Sequence, residues 1–419
     1  MSAPTLRPQD PGFVFNPLTP AFDRDPYPVL AALRREAPIY WWPEARGWFL
    51  TRHEDAVAVL SDEERFTPNQ VHWEFYTPPP EESRNHPALR IRESNILSME
   101  GSQHVRMRKL AFAALSRRAV RTIAPLMRQV IDELLEPLRT RGECELVSEV
   151  ASTYPVGVIS RLLGIEKNSD REKHFKGLAD SIIVAFNPMI EEAAKLRSLH
   201  LMGKYIGEIE DLMEEKRAAP ADDLMSHLIQ VEEEGDHFTP DEILSLVCAL
   251  LVAGSETTAN SLAFGVLELL RHPDQRKQFM EDPSCRENAA YEVVRYHMPG
   301  RFLLRYAKHD THIREIPIHK GQGVFVSVAS AQRDPDFLDD PDRFDITRTP
   351  KDLSAFGVGR HFCIGAQLAR LELEIGLERV FDAFPNLQLA CGFEDIPYRN
   401  NPAVRGPAKL PLRFDPTGG

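Results

Sequence analysis

The chain has 419 residues, 42% of them hydrophobic, with 50 Lys and Arg against 63 Asp and Glu for a net charge of −13. That length can bury a large core and enclose a prosthetic group, and the acidic balance argues against nucleic acid or an anionic membrane as the main partner. Five scattered cysteines, Cys144, Cys248, Cys285, Cys363 and Cys391, form no CxxC pair. Neither a disulfide framework nor a zinc site is indicated, and a reducing, cytoplasmic setting is expected.

Residues 1–24 hold Pro4, Pro8, Pro11 and Pro17 and no apolar run, which predicts an extended arm without signal peptide or membrane anchor. A short helix is expected from about Pro28 to Glu36. Ile39–Trp41 and Trp48–Leu50, separated by Pro43 to Gly47, read as a β-hairpin, and 53–60 as another short helix. Pro68, Pro78, Pro79, Pro80 and Pro87 predict an irregular loop over 66–97, on the substrate side; loops of that length are usually functional. Residues 101–271 are mostly helical, with breaks near Gly142, Gly164, Asn187-Pro188 and Pro220. Short strands return near Ile313–Ile318 and Val324–Val328. No repeat or linker divides the chain. The expected fold class is mainly α with small β-sheets, a single large domain over residues 1–419.

The strongest helix lies at 239–272. Thr239 is a good N-cap, Pro240 suits the first helical position, Glu242 completes a capping box, and Pro273 stops the helix after Arg271-His272. Residues 243–253 are apolar nearly all round, so this half is buried. Ala253-Gly254-Ser255-Glu256-Thr257-Thr258 then interrupts the pattern. A buried carboxylate beside hydroxyls needs partners, although Thr can also bond back to its own helix.

Near the C-terminus, residues 356–365 place a lone cysteine, Cys363, in a loop punctuated by Gly357, Gly359 and Gly365. The loop precedes a helical stripe of Leu373, Leu377, Val380 and Phe384, with Leu368, Leu371 and Ile375 alongside. A helix N-terminus favours thiolate over thiol, and a thiolate can hold iron. The glycines allow close approach of a flat, bulky group, which Phe356 can cover on its sulfur side. This pattern reads as a haem pocket with a cysteine axial ligand.

The loop resembles the haem-binding signature of the cytochrome P-450 family, F-x-x-G-x-x-x-C-x-G, at Phe356, Gly359, Cys363 and Gly365. Residues 253–258 resemble the family's [AG]-G-x-[DE]-T-[TS] motif. The resemblance implies the P-450 fold, of the soluble bacterial type, enclosing haem b (iron protoporphyrin IX) with Cys363 as metal ligand. It also implies that Gly254 makes room for bound O2, Thr257 hydrogen-bonds that oxygen or a water beside it, and Glu256 relays protons. Glu292-Val293-Val294-Arg295 matches the family's E-x-x-R, and Pro341-Asp342-Arg343-Phe344 its second-arginine segment, implying a structural triad of Glu292, Arg295 and Arg343. Haem propionates need cationic donors. His104 and Arg108, one helical turn apart, are candidates, and the resemblance adds Arg305 and His361, with Arg301 a nearby rival to Arg305.

For the substrate pocket the resemblance points to the 66–97 loop, the 175–195 region, the central helix and the stretch after Arg295. These offer Trp73, Phe75, Tyr76, Phe186, Met189, Ile190, Leu246, Leu250, Ala253, Met298, Phe302 and Leu303, a greasy set with Arg301 as the possible charged exception. The implied function is a monomeric haem-thiolate monooxygenase acting with O2 on a hydrophobic terpenoid, steroid, fatty acid or macrolide. Electrons would come from NAD(P)H through a ferredoxin or flavodoxin and its reductase. A peroxide-driven or rearranging relative is disfavoured by the intact Glu256-Thr257 pair, and a non-catalytic haem-binding protein by the lack of a signalling domain. Residues 101–131 contain no Asp or Glu but do contain Arg106, Lys109, Arg117, Arg118, Arg121 and Arg128. With Arg360 they are expected to form a docking patch for the redox partner.

Overall fold

The computed structural model describes residues 13, 15–78, 86–114, 122–186, 192–233, 235–349, 354–399, 401 and 403–417. Its helices are α1 (Pro20–Arg24), α2 (Tyr27–Glu36), α3 (His53–Ser61), α4 (Pro87–Glu93), α5 (Gly101–Ala114), α6 (Ala124–Leu135), α7 (Tyr154–Leu162), α8 (Asp170–Phe186), α9 (Glu192–Ala218), α10 (Leu224–Gln230), α11 (Pro240–Arg271), α12 (Pro273–Glu281), α13 (Arg286–Tyr296), α14 (Val328–Ala331) and α15 (Ala366–Ala383). The main strands are β1 (Ile39–Trp42), β2 (Gly47–Leu50), β3 (Phe66–Thr67), β4 (Glu143–Glu145), β5 (Leu303–Ala307), β6 (Thr311–Ile313), β7 (Ile316–Ile318), β8 (Gly323–Val326), β9 (Gln388–Leu389) and β10 (Pro411–Arg413).

The first sheet runs β1-β2-β8-β5-β3. β1 and β2 form the expected hairpin, with Tyr40 opposite Phe49 and Trp41 opposite Trp48. β8 lies parallel to β2 and antiparallel to β5, setting Val324 opposite Arg305. β9, β10 and β4 make a smaller sheet.

Helix α11 has the predicted start, with Thr239 and Glu242 bonding each other's backbone in a capping box. Its 32 residues span about 48 Å at 1.5 Å per residue. It is apolar and long enough to cross a membrane, but 67% of its most apolar window is buried inside the protein. Two apolar clusters flank it. Leu246, Leu250 and Leu251 pack with Met107, Leu178 and Ile206, whereas Leu262, Phe264 and Leu267 pack with Leu373, Leu377 and Val380 of α15.

Two expectations of irregular structure are corrected. The N-terminal arm contains α1, whose Thr19 cap accepts from the Phe22 amide. The 66–97 stretch contains β3 and α4, the latter opened by His86 as cap and Pro87 in its first turn. In both helices the proline occupies an N-terminal position, where a missing N–H costs nothing.

Candidate active site

Cys363 follows a loop held in place by its glycines. Gly357 and Gly359 adopt φ of +78° and +71°, a region that disfavours side chains. A Cβ on Gly359 would lie 3.0 Å from the Leu60 carbonyl oxygen, so the loop rests on the end of α3. The Cys363 amide donates to the Phe356 carbonyl at 2.8 Å, closing the loop on itself. Phe356 packs beside Tyr291 at the edge of the main core. Gly365 caps α15, and no atom lies within 4 Å of the place its Cβ would take, so a flat group can approach the backbone there.

Cys363 is exposed on one side, yet protein surrounds it on the others, and burial raises its thiol above the usual value. The Gly365 amide and the Arg108 guanidinium pull the other way but do not overcome burial. The helix start alone therefore does not make a thiolate. A metal ion would, because coordination deprotonates a thiol outright.

Four basic side chains converge near this loop. Arg305 on β5 is buried and donates to the Leu304 carbonyl at 3.0 Å. His104 of α5 is buried and stacks on His361 with ring centroids 4.0 Å apart. Arg108 donates to the Phe362 carbonyl. Among the described residues none of the four forms an ion pair with a carboxylate. Burial, followed by His104, Arg305 and Arg108, lowers His361 to about 3. Burial lowers Arg305 to about 10, and burial plus Arg108 and Arg360 lowers His104. A cluster of donors that destabilise one another's charge suits an anion, and two propionates match it. Cys363, the bare Gly365 backbone and this cluster together fit haem.

Arg301 does not compete with Arg305. It is buried against the N-terminal segment, donating to Pro17 O at 2.8 Å and Asn401 O at 2.7 Å and pairing with Asp23. It is therefore not a charge in the substrate pocket. Phe302 is likewise corrected: it packs edge-on against Trp42 and Phe325 in the N-terminal aromatic cluster. Both precede β5 and lie beside Phe22, Tyr27 and Leu30 of α1 and α2.

On α11 the burial pattern breaks where the sequence does. Ala253 is exposed and Val252, Gly254, Glu256 and Thr257 are half-buried, in a helix closed on both sides. A Cβ on Gly254 would meet only the Ile159 methyl, at 3.1 Å. The Thr257 hydroxyl donates to Ala253 O at 2.5 Å, and Ser255 to Leu251 O at 2.5 Å. These are the back-bonds that Thr and Ser often make, and they leave the Thr257 oxygen able to accept. Glu256 is held by Arg399 at 3.1 and 3.2 Å, and Arg399 also donates to Ser152 Oγ at 3.2 Å.

Of the other pocket candidates, Leu250 and Leu246 are core residues. Met298 is half-buried between two apolar clusters, and Leu303 approaches Gly357. Trp73 lies beside Phe75 and Tyr306, Phe75 carries Arg46 over its ring, and the Tyr76 hydroxyl accepts from Arg92. Met189 and Ile190 lie outside the described residues, as does the side chain of Phe186.

Glu292 and Arg295 are buried and bonded in bidentate fashion at 2.7 and 2.8 Å. Arg295 also donates to the carbonyls of Gln332, Pro341 and Arg343. The expected third member is corrected. The Arg343 side chain is 67% exposed, and it is Arg348 Nε that stands 3.6 Å from Glu292. Arg343 contributes its carbonyl only, because the turn after Pro341 points its side chain outward and brings Arg348 back.

Sequence reasoning also passed over Glu372 and Tyr154. Both are buried, and among the described residues the Glu372 Oε1 and the Tyr154 hydroxyl have no hydrogen-bond partner. Burial holds Glu372 well above the usual carboxylate range. The available signal was an acid inside the apolar face of α15.

The cytochrome P450 family model matches residues 48–283 and 287–399. The vitamin D(3) 25-hydroxylase of Pseudonocardia autotrophica is 36% identical over 399 residues, 94% of this chain and 95% of that protein. The 6-deoxyerythronolide B hydroxylase of Saccharopolyspora erythraea is 33% identical, over 94% of this chain and 97% of its own. The epothilone D-bound cytochrome P450epoK structure superposes with a TM-score of 0.85 at 29% identity, covering 97% of this chain and all of that one. With the family match over most of its length and the cysteine loop and cation cluster that fit haem, the chain belongs to the cytochrome P450 family and is a haem-thiolate monooxygenase.

Proposed function

We propose that this enzyme hydroxylates or epoxidises a bulky hydrophobic molecule of macrolide or related polyketide type, in the cytoplasm, with haem b held by Cys363. The observation that carries the reading is the open stretch of α11, where exposed, apolar Ala253 and the half-buried hydroxyl of Thr257 lie one turn apart in an otherwise buried helix. Relatives named for a macrolide precursor and for epothilone support that substrate class.

When bound, haem supplies O2 activation with electrons received one at a time. The chain supplies the rest. His104, Arg108, Arg305 and His361 hold the propionates. Ala253 and Gly254 leave space beside the reacting centre. Thr257, its proton committed to Ala253 O, accepts a hydrogen bond from a water or substrate-side donor, and Glu256 passes protons inward from solvent. Thr257→Ala should leave haem content and substrate affinity unchanged while diverting NAD(P)H electrons to peroxide or water, with coupling to product reduced on the order of 10²-fold. Unchanged coupling would remove Thr257 from proton supply. A macrolide panel scored by substrate-induced spin shift tests the substrate class, and shifts confined to fatty acids or steroids would overturn it.

Electrons are proposed to arrive from an acidic ferredoxin at the face carrying Arg360, three residues before Cys363. A groove of about 670 Å³ lies there, lined by Val105, Arg106, Lys109, Asp236 and Arg360. Arg106 is paired with Asp236 at 3.1 Å and with Glu242, Arg360 with Glu63 at 3.2 Å, and Arg128 with Glu378 at 2.5 Å, so the field is partly neutralised. Arg117, Arg118 and Arg121 lie outside the described residues. Arg360→Glu should slow first-electron transfer, and added salt should slow the wild type more than the variant. Equal salt dependence would place docking elsewhere.

A further inference from the structure

The C-terminal strap, described at residues 397–399, 401 and 403–408, meets α11 along one face. It folds back on itself through Arg399 N to Gly406 O at 3.0 Å and Ala408 N to Pro397 O at 2.7 Å. It meets the helix at successive turns. Arg399 grips Glu256, Gly406 packs so close to the Asn260 side chain that any Cβ would collide with it, and Tyr398 and Arg405 lie over Phe264. The strap is also bound to the segment leading into β5, through Arg301 N to Ala403 O and Arg405 N to Pro299 O at 3.1 and 2.7 Å. That segment continues to Arg305.

We propose that Arg399 is a positioning residue for the reaction: its guanidinium, anchored on Ser152 and carried by the strap, fixes the Glu256 carboxylate in the place from which it supplies protons to Thr257. Glu256 stands next to Thr257 in sequence but about 100° around the helix from it. Its side chain is 23% exposed, and among the described residues Arg399 is the ion-pair partner that holds it against the pull of water. One nitrogen of Arg399 contacts both carboxylate oxygens and the other is spent on Ser152, so the arginine cannot follow the carboxylate outward. A three-point anchorage of this kind restricts a rotamer, which matters because misplacing a reacting group by about 1 Å can cost on the order of 10²-fold. The partly exposed ion pair itself stabilises the fold little. Its position between two segments that border the haem site gives it a role that stability alone does not.

This inference rests on the reading of Glu256 as a proton donor, and the test separates the two. Arg399→Gln and Arg399→Lys, Glu256→Gln and the Arg399→Gln/Glu256→Gln double variant would be compared as full-length haem-loaded enzymes. The coupling of NAD(P)H to product should fall on the order of tenfold in Arg399→Gln, less than for loss of a proton donor itself, with partial rescue in Arg399→Lys. The substrate spin shift and the reduced carbonyl spectrum should not move. The double variant should be no worse than Glu256→Gln alone. Independently of turnover, hydrogen exchange at the residue 399 amide, which donates to Gly406 O, should quicken alike in Arg399→Gln and Glu256→Gln, because either change removes the tie between this end of the strap and Glu256. If Glu256→Gln loses coupling while Arg399→Gln does not, or if the two losses multiply, Arg399 does not position Glu256. If Glu256→Gln keeps full coupling, the proton-donor reading fails first and the positioning role falls with it.

Discussion

Arg295→Leu should destabilise the enzyme by about 3–5 kcal/mol and leave most of it unable to retain haem. Arg295 is wholly buried and gives its five donors to Glu292 and to three carbonyls from 332 to 343. Leucine matches much of the volume but leaves Glu292 charged and the three carbonyls unpaired, and each such loss carries its own desolvation cost. The carbonyls belong to the segment that leads toward the cysteine loop, so the damage reaches haem retention. Arg343→Leu is the contrasting control. With its side chain 67% exposed it should cost less than about 1 kcal/mol. Urea unfolding of both variants measures the difference. Equal, small losses would show that the buried pair does not hold this region together.

The second large effect belongs to the sulfur. Cys363→Ala should abolish monooxygenation and the thiolate-type carbonyl spectrum together, while retaining the fold. Among the described residues the side chain belongs to no apolar cluster, and the hydrogen bond that the 363 N–H donates to Phe356 O survives the change. Cys144, Cys248 and Cys285 are buried, and Cys391 is half-buried far along the chain. Burial raises Cys144 and Cys248 to about 12, which suits inert core thiols. Serine or alanine at any of these should leave the spectrum unchanged. Persistence of the thiolate spectrum in Cys363→Ala would reassign the ligand.

Elements governed by local rules were legible in the sequence. The α11 capping box, its proline stop, the Trp41–Trp48 hairpin and the glycine loop depend on residues a few places apart, and they form where expected. What failed depended on partners distant in sequence. Arg343 and Arg348 both sit near the buried acid, and only the path of the turn decides which side chain reaches Glu292. Arg301 and Arg305 are four apart, yet one serves Asp23 and the other the cation cluster. Arg399 lies 143 residues from Glu256 and carries no local motif, so no sequence pattern joined them. Phe302 looked like pocket lining because its composition cannot say on which side of a strand it enters. The thiol of Cys363 shows the limit of a local electrostatic rule: the helix start favours charge, and burial outweighs it until a metal is bound.

Haem–thiolate ligation is tested most directly on the unmodified enzyme, by reducing it with dithionite, admitting carbon monoxide and recording the difference spectrum. Cys363 bound to iron as thiolate predicts the red-shifted Soret band of a thiolate-ligated carbonyl complex across neutral pH. An unshifted band of the kind given by histidine ligation, in freshly purified protein of full haem content, would contradict it.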